Sequence, residues 1–547
     1  MTAYTNYENW LSSGRLSDAE VSQLLQIKDD PAAIEDRFGA DLHFGTAGLR
    51  GIMEAGTNRM NVHVVRRATQ GLANYLTKNF AAPSVVISYD SRLGSREFAA
   101  ATAGVLAASG IQTWLFSEMM PVPLLSFAVR HLGCTAGVMI TASHNPKEYN
   151  GYKVYNASGG QILDEEASAI LREIEAVDMF TGVAAESDAY ELVPPSVYAA
   201  YLDVMNQASD LTPERDLSIV YTPLNGSGRK PVQDCLSMNG FRFMTVAAQE
   251  EADGNFTTCP SPNPEKEEVY KLALEDAYSL DGDLIIATDP DCDRVGAMVK
   301  HNGEYLLLSG NEIGALLMEY LCQYYAGRGQ LDGRFVCTSM VSTLLADAIG
   351  AHYDLEVKRT HVGFKYIGEQ MELNPNAFLF GFEESNGYLV GDHARDKDGV
   401  VAAKLLCQMA AHYKAAGKTL MDALEALYTR HGYVMDKTTT ITVKNQRESR
   451  EIMKRLRDFD AVAAAFDGIG GGITAATDYA DEAVETGLPK ADVLKFQFAD
   501  GARLIVRPSG TEPKVKFYVS ACAGTKAECL ARRKEIMETL NELIGEK

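Results

Sequence analysis

A hydroxyl, an imidazole and an amide stand close together in the hexapeptide 141–146, which reads Thr-Ala-Ser-His-Asn-Pro. The apolar run 136–140 precedes it and is typical of a buried strand. Asn145 precedes a proline, which disfavours helical geometry and predicts a turn. Ser143 and His144 therefore fall on a loop at a strand end, where catalytic side chains are often held. A merely polar turn is the alternative interpretation.

A second segment carries three carboxylates at alternate positions, Asp289, Asp291 and Asp293. It follows the run 283–288, which is rich in Leu, Ile and Ala and predicts another buried strand. Carboxylates this close repel one another unless a cation neutralises them, and hard oxygen ligands suit Mg²⁺ or Ca²⁺. An EF-hand loop needs glycine and glutamate where this segment has Arg294 and Lys300. The pattern favours Mg²⁺ whose shell is completed by phosphate oxygen, with a solvated acidic turn as the alternative.

A third segment, 507–513, follows the apolar run 503–506 and has the chemistry of a phosphate cradle. Arg507 can make a two-pronged contact with phosphate oxygens. Ser509 and Thr511 offer hydroxyls, and Gly510 lets backbone N–H groups close around an anion. Taken alone, this segment could also be an ordinary turn.

A fourth segment, 381–387, reads Gly-Phe-Glu-Glu-Ser-Asn-Gly after the apolar run 377–380. Glu383 and Ser385 offer carboxylate and hydroxyl groups suited to sugar hydroxyls. The segment is weak evidence when it is considered by itself.

Together, in this order, the four segments resemble the motifs of the α-D-phosphohexomutase superfamily. Four further segments fit the same family: 44–51, 89–92, 150–153 and 360–365. The resemblance covers nearly the whole chain. It implies three similar α/β domains with mixed sheets, a smaller α+β C-terminal domain and an active site in a central cleft.

The resemblance implies a role for each segment. Ser143 would carry the phosphoryl group and, with the three aspartates, bind Mg²⁺. Lys153 or His144 would act as general base, with Lys153 favoured, and Arg50 would line the active site. The implied substrate-binding residues are Arg294, Thr360, Gly363, Glu383, Ser385, Lys397, Arg507, Ser509, Gly510 and Thr511.

The implied reaction interconverts glucose 1-phosphate and glucose 6-phosphate through a phosphoserine enzyme. Direct transfer between opposite ends of the sugar is barred by geometry, so glucose 1,6-bisphosphate is expected as intermediate and activator. The segments 44–51 and 381–388 are most similar to the branch containing phosphoglucomutases and phosphopentomutases. The alternatives are phosphomannomutase, phosphopentomutase, a sugar-bisphosphate synthase and, last, a non-catalytic phosphosugar-binding protein.

Composition agrees with an enzyme that acts on a small phosphosugar. The 547 residues predict three or four domains at roughly 150 residues each. A net charge of −23 argues against nucleic acid or an anionic membrane as partner, although local cations can still bind a phosphosugar. We expect a monomer or weak dimer.

Cysteine usage and the absence of targeting signals predict a cytoplasmic protein. The nine cysteines include no CxxC pair, which indicates buried thiols in a reducing compartment. The apolar stretches have the length of strands and helices, and the N-terminus lacks the basic start and apolar core of a signal peptide.

The order of predicted elements divides the chain into four domains. Alternating strands and helices predict α/β layers, and the β-branched run after Lys437 predicts a smaller α+β unit. The expected domains are 1–205 with a helical extension over 1–40, 206–325 with the aspartates, 326–436 with the Glu-Ser segment, and 437–547 with the phosphate cradle.

Overall fold

The protein is described by a computed structural model over residues 2–45, 48–509 and 514–545. The chain folds into two compact units. Unit 1 comprises residues 1–310 and 363–419, and unit 2 comprises residues 311–362 and 420–547.

Unit 1 begins with three short helices, α1 (Ala3–Ser12), α2 (Asp18–Gln26) and α3 (Pro31–Phe38). Each helix follows a residue whose side chain accepts a hydrogen bond from N–H groups of the first turn. These residues are Thr2 before α1, Ser17 before α2 and Asp30 before α3. Their apolar faces form one small core, in which Trp10 packs edge-on against Phe38. The expected helical extension is therefore present.

A mixed sheet with four helices follows. Its elements are β1 (Leu49–Ile52), α4 (Val62–Asn79), β2 (Ser84–Tyr89), α5 (Ser95–Ala108), β3 (Gln112–Leu115), α6 (Val122–His131), β4 (Ala136–Ile140), β5 (Tyr149–Asn156), α7 (Asp164–Glu175) and β6 (Glu191–Leu192). The strand order is β1-β5-β4-β2-β3-β6, and β4 pairs in parallel with β2 and antiparallel with β5. Every residue of β4 is buried, as expected for a strand covered on both faces.

A second mixed sheet lies in the same unit. Its elements are α8 (Pro195–Ser209), β7 (Ser218–Thr222), α9 (Arg229–Met238), β8 (Arg242–Thr245), α10 (Ala247–Glu250), a 3₁₀ turn (Glu267–Tyr270), α11 (Lys271–Leu280), β9 (Leu284–Thr288), β10 (Val295–His301) and β11 (Glu304–Leu308). The order is β11-β10-β9-β7-β8, with β7 parallel to β8 and β9. The aspartate segment forms the turn between β9 and the antiparallel strand β10.

The next elements are divided between the two units, with residues 311–362 in unit 2 and residues 363–419 in unit 1. They are α12 (Gly310–Ala326), β12 (Phe335–Ser339), α13 (Leu345–His352), β13 (Glu356–Thr360), α14 (Phe364–Leu373), β14 (Phe378–Glu383), β15 (Gly387–Val390) and α15 (Gly399–Ala415). In unit 2, β12 and β13 pair in parallel; in unit 1, β14 and β15 form an antiparallel hairpin. Helix α15 is apolar on most of its surface and is buried over most of its length, as expected for an interior helix.

The rest of unit 2 is an antiparallel sheet with helices. Its elements are α16 (Leu420–His431), β16 (Tyr433–Thr442), α17 (Gln446–Leu456), α18 (Phe459–Ala465), a 3₁₀ turn (Ile469–Gly471), β17 (Ile473–Asp478), β18 (Leu494–Phe498), β19 (Arg503–Pro508), β20 (Lys514–Ala523) and α19 (Lys526–Ile544). The strand order is β16-β20-β19-β18-β17. The expected smaller α+β unit at the C-terminal end is confirmed.

The structure agrees with the predicted fold class, while the predicted domain boundaries stay a prediction. Residues 205, 325 and 436, where those boundaries were set, lie inside α8, α12 and β16. In the described part of the chain, no helix is long and apolar enough to cross a membrane. All nine cysteines are free, and only Cys522 is not fully buried.

We predict that Phe38→Ala loosens the N-terminal helices. Phe38 is fully buried against Tyr7 and Trp10, so the truncation should cost about 3–5 kcal/mol of packing free energy. Hydrogen exchange over residues 3–38 should accelerate. The matched control is Leu25→Ala, because Leu25 is 50% exposed. Unchanged exchange in Phe38→Ala would show that this core does not hold the extension together.

Candidate active site

The loop after β4 holds Ser143 in a strained conformation. Ser143 is buried and has a φ of 53°, in the left-handed region that non-glycine residues rarely adopt. Its N–H donates a hydrogen bond of 2.8 Å to the hydroxyl of Thr141, which tightens the turn. Strain of this kind persists only where surrounding contacts impose it, and it is concentrated at functional sites.

The guanidinium of Arg92 supplies those contacts. It donates hydrogen bonds to the backbone carbonyls of Ser143 and Asn145. It also reaches the carbonyls of Pro146 at 2.9 Å and Tyr149 at 3.1 Å. One buried cation thus fixes the path of the whole serine loop.

Asp90 in turn holds Arg92. The two side chains are fully buried and lie 3.3 Å apart. Asp90 also accepts hydrogen bonds of 2.6 Å from the hydroxyls of Ser95 and Thr141. The sequence placed the segment 89–92 among the family-like motifs, but only the fold shows that its role is to position Ser143.

The Ser143 hydroxyl faces a carboxylate and an imidazole. It donates a hydrogen bond of 2.8 Å to Asp289 Oδ2, and its oxygen lies 3.2 Å from His144 Nδ1. Burial, followed by the charges of Arg294 and Arg50, holds the pKa of His144 well below its ordinary value. His144 is therefore neutral at ordinary pH and has a ring nitrogen free to accept a proton.

The three predicted metal ligands come together in the structure. Asp289, Asp291 and Asp293 are buried, and one oxygen of each lies within 4.8 Å of the others. Burial and the two neighbouring carboxylates raise the pKa of Asp289 well above its ordinary value. Buried Oδ1 atoms of Asp291 and Asp293 have no hydrogen-bond partner among the described residues. Asp293 Oδ1 does lie 3.6 Å from Arg294 Nε. Carboxylate oxygens without a hydrogen bond fit a hard divalent cation such as Mg²⁺.

Two helix N-termini hold the backbone of the aspartate loop. Asp291 O accepts a hydrogen bond of 3.0 Å from Val122 N, the first residue of α6. Cys292 O accepts one of 3.1 Å from Gly399 N, the first residue of α15. Free N–H groups of both helices are thereby satisfied, and the loop is held by two separate elements. The thiol of Cys292 is buried, as expected for a spacer.

Two lysines partly neutralise the carboxylates. Lys153, on β5, lies 2.8 Å from Asp291 and 3.8 Å from Asp293. Lys397 lies 3.1 Å from Asp293. Burial raises the pKa of Asp291, but the ammonium of Lys153, a hydrogen bond with Asp289 and the charge of Lys397 together outweigh it, and the net shift is downward. Asp291 therefore stays ionised.

Asp396 is a site residue that the sequence analysis missed. Its carboxylate lies 3.0 Å from Lys397 Nζ and accepts hydrogen bonds from Tyr155 at 3.0 Å and Gln161 at 2.8 Å. It links Lys397 to the first sheet. The available signal was the alternation of acidic and basic residues over 392–398, directly before a helix.

The hairpin turn between β14 and β15 brings Glu383 and Gly387 beside these cations. Glu383 is buried and accepts a hydrogen bond of 2.7 Å from Gly363 N. Burial, followed by the neighbouring charge of Glu384, raises the pKa of Glu383 to about 7. A Cβ at Gly387 would lie 2.1 Å from a side-chain carbon of Lys397, so only glycine leaves room for the lysine.

Three other predicted residues lie near this centre in unit 1. Arg294 N donates to Asp289 Oδ1 at 3.1 Å, and its guanidinium bonds Glu265 at 2.9 Å. Arg50 donates to Asn145 Oδ1 at 3.3 Å. Ser385 is half-buried in the β14–β15 turn.

The remaining predicted residues belong to unit 2 or are not described. The buried hydroxyl of Thr360 donates a hydrogen bond of 3.0 Å to His361 O. Arg507 lies on β19 opposite Lys516, and Ser509 follows that strand. Gly510 and Thr511 lie outside the described residues.

Four consecutive segments match models of the phosphoglucomutase/phosphomannomutase family. Residues 41–180, 199–303 and 309–431 match its alpha/beta/alpha domains I, II and III, and residues 443–538 match its C-terminal domain. The expected sequence of three α/β domains and one smaller domain is thereby confirmed.

Curated relatives match over most of the chain. A phosphoglucomutase of Staphylococcus haemolyticus (strain JCSC1435) is 38% identical over 514 residues, which cover 89% of this chain and 91% of the relative. A phosphoglucomutase of Staphylococcus aureus (strain MSSA476) is 35% identical over 537 residues, which cover 94% of this chain and 95% of the relative.

Solved structures share the fold at low identity. One is the Paramecium phosphoprotein parafusin, described as a phosphoglucomutase in its open form, with a TM-score of 0.72 at 16% identity. The match covers 92% of this chain and 95% of the parafusin chain. A phosphoglucomutase/phosphomannomutase family protein from Burkholderia thailandensis has a TM-score of 0.69 at 20% identity. This match covers 91% of this chain and 97% of the Burkholderia chain.

We predict that Asp291→Ala weakens divalent-cation binding at least about tenfold, because it removes a direct oxygen ligand. Mn²⁺ can replace Mg²⁺ as a spectroscopic probe, and its free concentration can be followed by electron paramagnetic resonance. The matched control is Asp188→Ala, since Asp188 is exposed. Equal Mn²⁺ affinity in Asp291→Ala and wild type would show that the cluster does not bind the cation.

Proposed function

Since the chain belongs to the phosphoglucomutase/phosphomannomutase family of the α-D-phosphohexomutase superfamily, we propose that it interconverts glucose 1-phosphate and glucose 6-phosphate. It is an intramolecular phosphotransferase. The observation that carries the proposal is the 2.8 Å contact between the Ser143 hydroxyl and Asp289 within a buried carboxylate cluster. Glucose is favoured over mannose and pentose because the curated relatives at 35–38% identity are named phosphoglucomutases.

The phosphoryl group moves in two transfers. In the first, the bond between phosphorus and Ser143 Oγ breaks, and phosphorus bonds the free 6-oxygen of glucose 1-phosphate. The product is glucose 1,6-bisphosphate, which we propose as intermediate and activator. After the sugar turns around, its 1-phosphoryl group returns to Ser143, and glucose 6-phosphate is released.

Each transfer needs a proton acceptor and a proton donor. The attacking sugar hydroxyl loses a proton, and the departing serine oxygen gains one. We propose Lys153, which the resemblance favours, or His144 as general base: Lys153 would accept the proton only as the neutral amine, whereas the neutral imidazole of His144 lies 3.2 Å from Ser143 Oγ. His144 lies beside Ser143, and Lys153 lies beside Asp291.

Charge neutralisation is the main requirement of phosphoryl transfer. Mg²⁺, held by Asp289, Asp291, Asp293 and a Ser143 phosphate oxygen, would withdraw charge from the transferring group. Arg50 and Lys397 would add fixed positive charge on the substrate side. Family membership supports this cation, and so do the buried carboxylate oxygens that have no hydrogen bond among the described residues.

Sugar and distal phosphate require separate contacts. We assign the sugar hydroxyls to Glu383 and Ser385, with Arg294, Thr360, Gly363 and Lys397 as further substrate contacts. The distal phosphate is assigned to Arg507, Ser509, Gly510 and Thr511. The central cleft that would join these groups stays a prediction.

We also propose a cytoplasmic protein that acts as a monomer or weak dimer, without a nucleic-acid or membrane partner. The net charge of −23 supports this because it repels polyanions. The free cysteines also agree with a reducing compartment.

We predict that Ser143→Ala abolishes mutase turnover, by at least about three orders of magnitude, because the phosphoryl carrier is lost. Intact-mass analysis should show a phosphorylated fraction in wild type that disappears in the variant. Ser168→Ala, on the exposed side of α7, is the matched control. Near-normal turnover in Ser143→Ala would disprove the assignment.

We predict that Arg507→Ala weakens binding of both glucose 1-phosphate and glucose 6-phosphate. A lost charge-assisted contact is worth about 1.5–3 kcal/mol, or roughly a tenfold to hundredfold change in affinity. Isotope-traced bisphosphate should escape more often per turnover, since its distal end is held less tightly. The matched control is Arg447→Ala, an exposed arginine of the same unit. Unchanged affinity and unchanged escape would remove this loop from the site.

A further inference from the structure

The aspartate loop contains a second strained residue, Cys292, between Asp291 and Asp293. Its φ is 50°, in the left-handed region that residues with a side chain rarely adopt. Its N–H donates a hydrogen bond of 2.9 Å to Asp289 O, and its side chain is fully buried. Because a strained conformation persists only where other contacts impose it, the geometry of the two flanking carboxylates depends on what holds Cys292.

The first residue of α15 supplies a contact from outside the loop. Gly399 N donates a hydrogen bond of 3.1 Å to Cys292 O. A Cβ at Gly399 would lie 2.7 Å from Cys292 O and 3.1 Å from Arg294 O, so only glycine lets the helix begin this close to the loop. The position of the α15 N-terminus therefore determines the backbone of the aspartate loop.

Asp398 fixes the start of α15. It is fully buried, and its Oδ1 accepts hydrogen bonds from Val400 N at 2.8 Å and Val401 N at 3.0 Å. Asp398 N donates to Tyr388 O at 2.8 Å, which joins the start of the helix to β15. Together with the bond to the aspartate loop, the first three N–H groups of α15 are all paired, as a helix that begins in the interior requires.

Two further side chains hold the same carboxylate from outside the helix. The hydroxyl of Tyr201, on α8, lies 2.9 Å and 3.1 Å from the two oxygens of Asp398. His393 Nε2 donates to Asp398 Oδ2 at 2.7 Å, and the His393 and Tyr201 rings are in edge contact, with centroids 5.9 Å apart. His393 Nδ1 is buried and has no hydrogen-bond partner among the described residues, so the ring is oriented by Asp398. The carboxylate is thereby fixed between α8, the segment 391–397 and α15.

We propose that Asp398, held by Tyr201 and His393, is a positioning residue for the aspartate loop. It places the N-terminus of α15 so that Gly399 keeps Cys292 in its left-handed conformation, and it thereby sets the spacing of the proposed cation ligands. All of these residues belong to unit 1. The inference rests on the proposed cation site, and it gives a role to residues outside the ligand set.

The variant Tyr201→Phe tests this role with little change in packing. The ring stays against His393, but the hydroxyl contacts with Asp398 are lost. We expect the Kd for Mn²⁺, followed by electron paramagnetic resonance on the full-length protein, to rise about threefold. The matched control is Tyr198→Phe, because Tyr198 lies on the same helix and its hydroxyl donates to a different carboxylate, Asp234, at 2.6 Å. The Mn²⁺ affinity of this control should equal that of the wild type.

The variant Asp398→Ala removes the whole anchor, and the Kd for Mn²⁺ should rise about tenfold. Its control is Asp30→Ala, which removes a cap of the same kind from α3, where Asp30 accepts hydrogen bonds from Ala32 N and Ala33 N. Loss of a cap by itself lowers the unfolding midpoint but leaves the affinity of the folded protein unchanged. The affinity measured well below that midpoint therefore separates positioning from stability. If Asp398→Ala does not fold, Tyr201→Phe decides the question.

Hydrogen exchange of the metal-free protein gives a readout that needs no cation. Peptides covering residues 288–295 should exchange faster in Tyr201→Phe than in Tyr198→Phe, and equal exchange in the two variants would overturn the proposal. In a protein that binds Mn²⁺, faster exchange with unchanged affinity would reduce the contact to structural support and would overturn the positioning role. A wild type that binds no Mn²⁺ would instead disprove the proposed cation site, and the exchange comparison would still decide whether Asp398 holds the loop.

Discussion

Three carboxylates buried within 4.8 Å of one another, on Asp289, Asp291 and Asp293, set the main constraint on this protein. Such a group can stay ionised only if nearby cations offset its self-repulsion and its lost hydration. Lys153, Lys397 and Arg294 supply part of that charge, and a divalent cation fits the carboxylate oxygens that have no hydrogen bond among the described residues. The same excess of negative charge that is costly for folding therefore fits a divalent cation beside Ser143.

The scaffold meets this constraint with contacts from distant parts of the chain. The backbone of the aspartate loop is held by the first residues of α6 and α15, and the serine loop is held by Arg92. Arg92 is paired with Asp90, so a buried ion pair outside the serine loop determines where Ser143 lies. Positioning to a few tenths of an ångström is what phosphoryl transfer requires, and rigid strand ends provide it.

Strand β19 of unit 2 carries two arginines, Arg503 and Arg507. Arg507 lies at the end of β19, next to the proposed phosphate cradle. Arg503 lies at the start of the same strand, in a cavity shared with Lys495 and Arg359. An arginine therefore stands near each end of this strand, within a chain of net charge −23.

The sequence by itself determined the strands before the serine and aspartate loops, the helical extension, the smaller α+β unit at the C-terminal end and the residue types of the site. It did so because strands and turns follow from local patterns, and because hydroxyls and carboxylates in fixed spacing restrict the chemistry. Only the tertiary structure decided that Ser143 meets Asp289 across 146 positions of chain, that Asp90 and Arg92 hold the serine loop, and that Asp396 orients Lys397. These pairings depend on burial and on contacts between distant segments, and neither can be predicted from local sequence patterns.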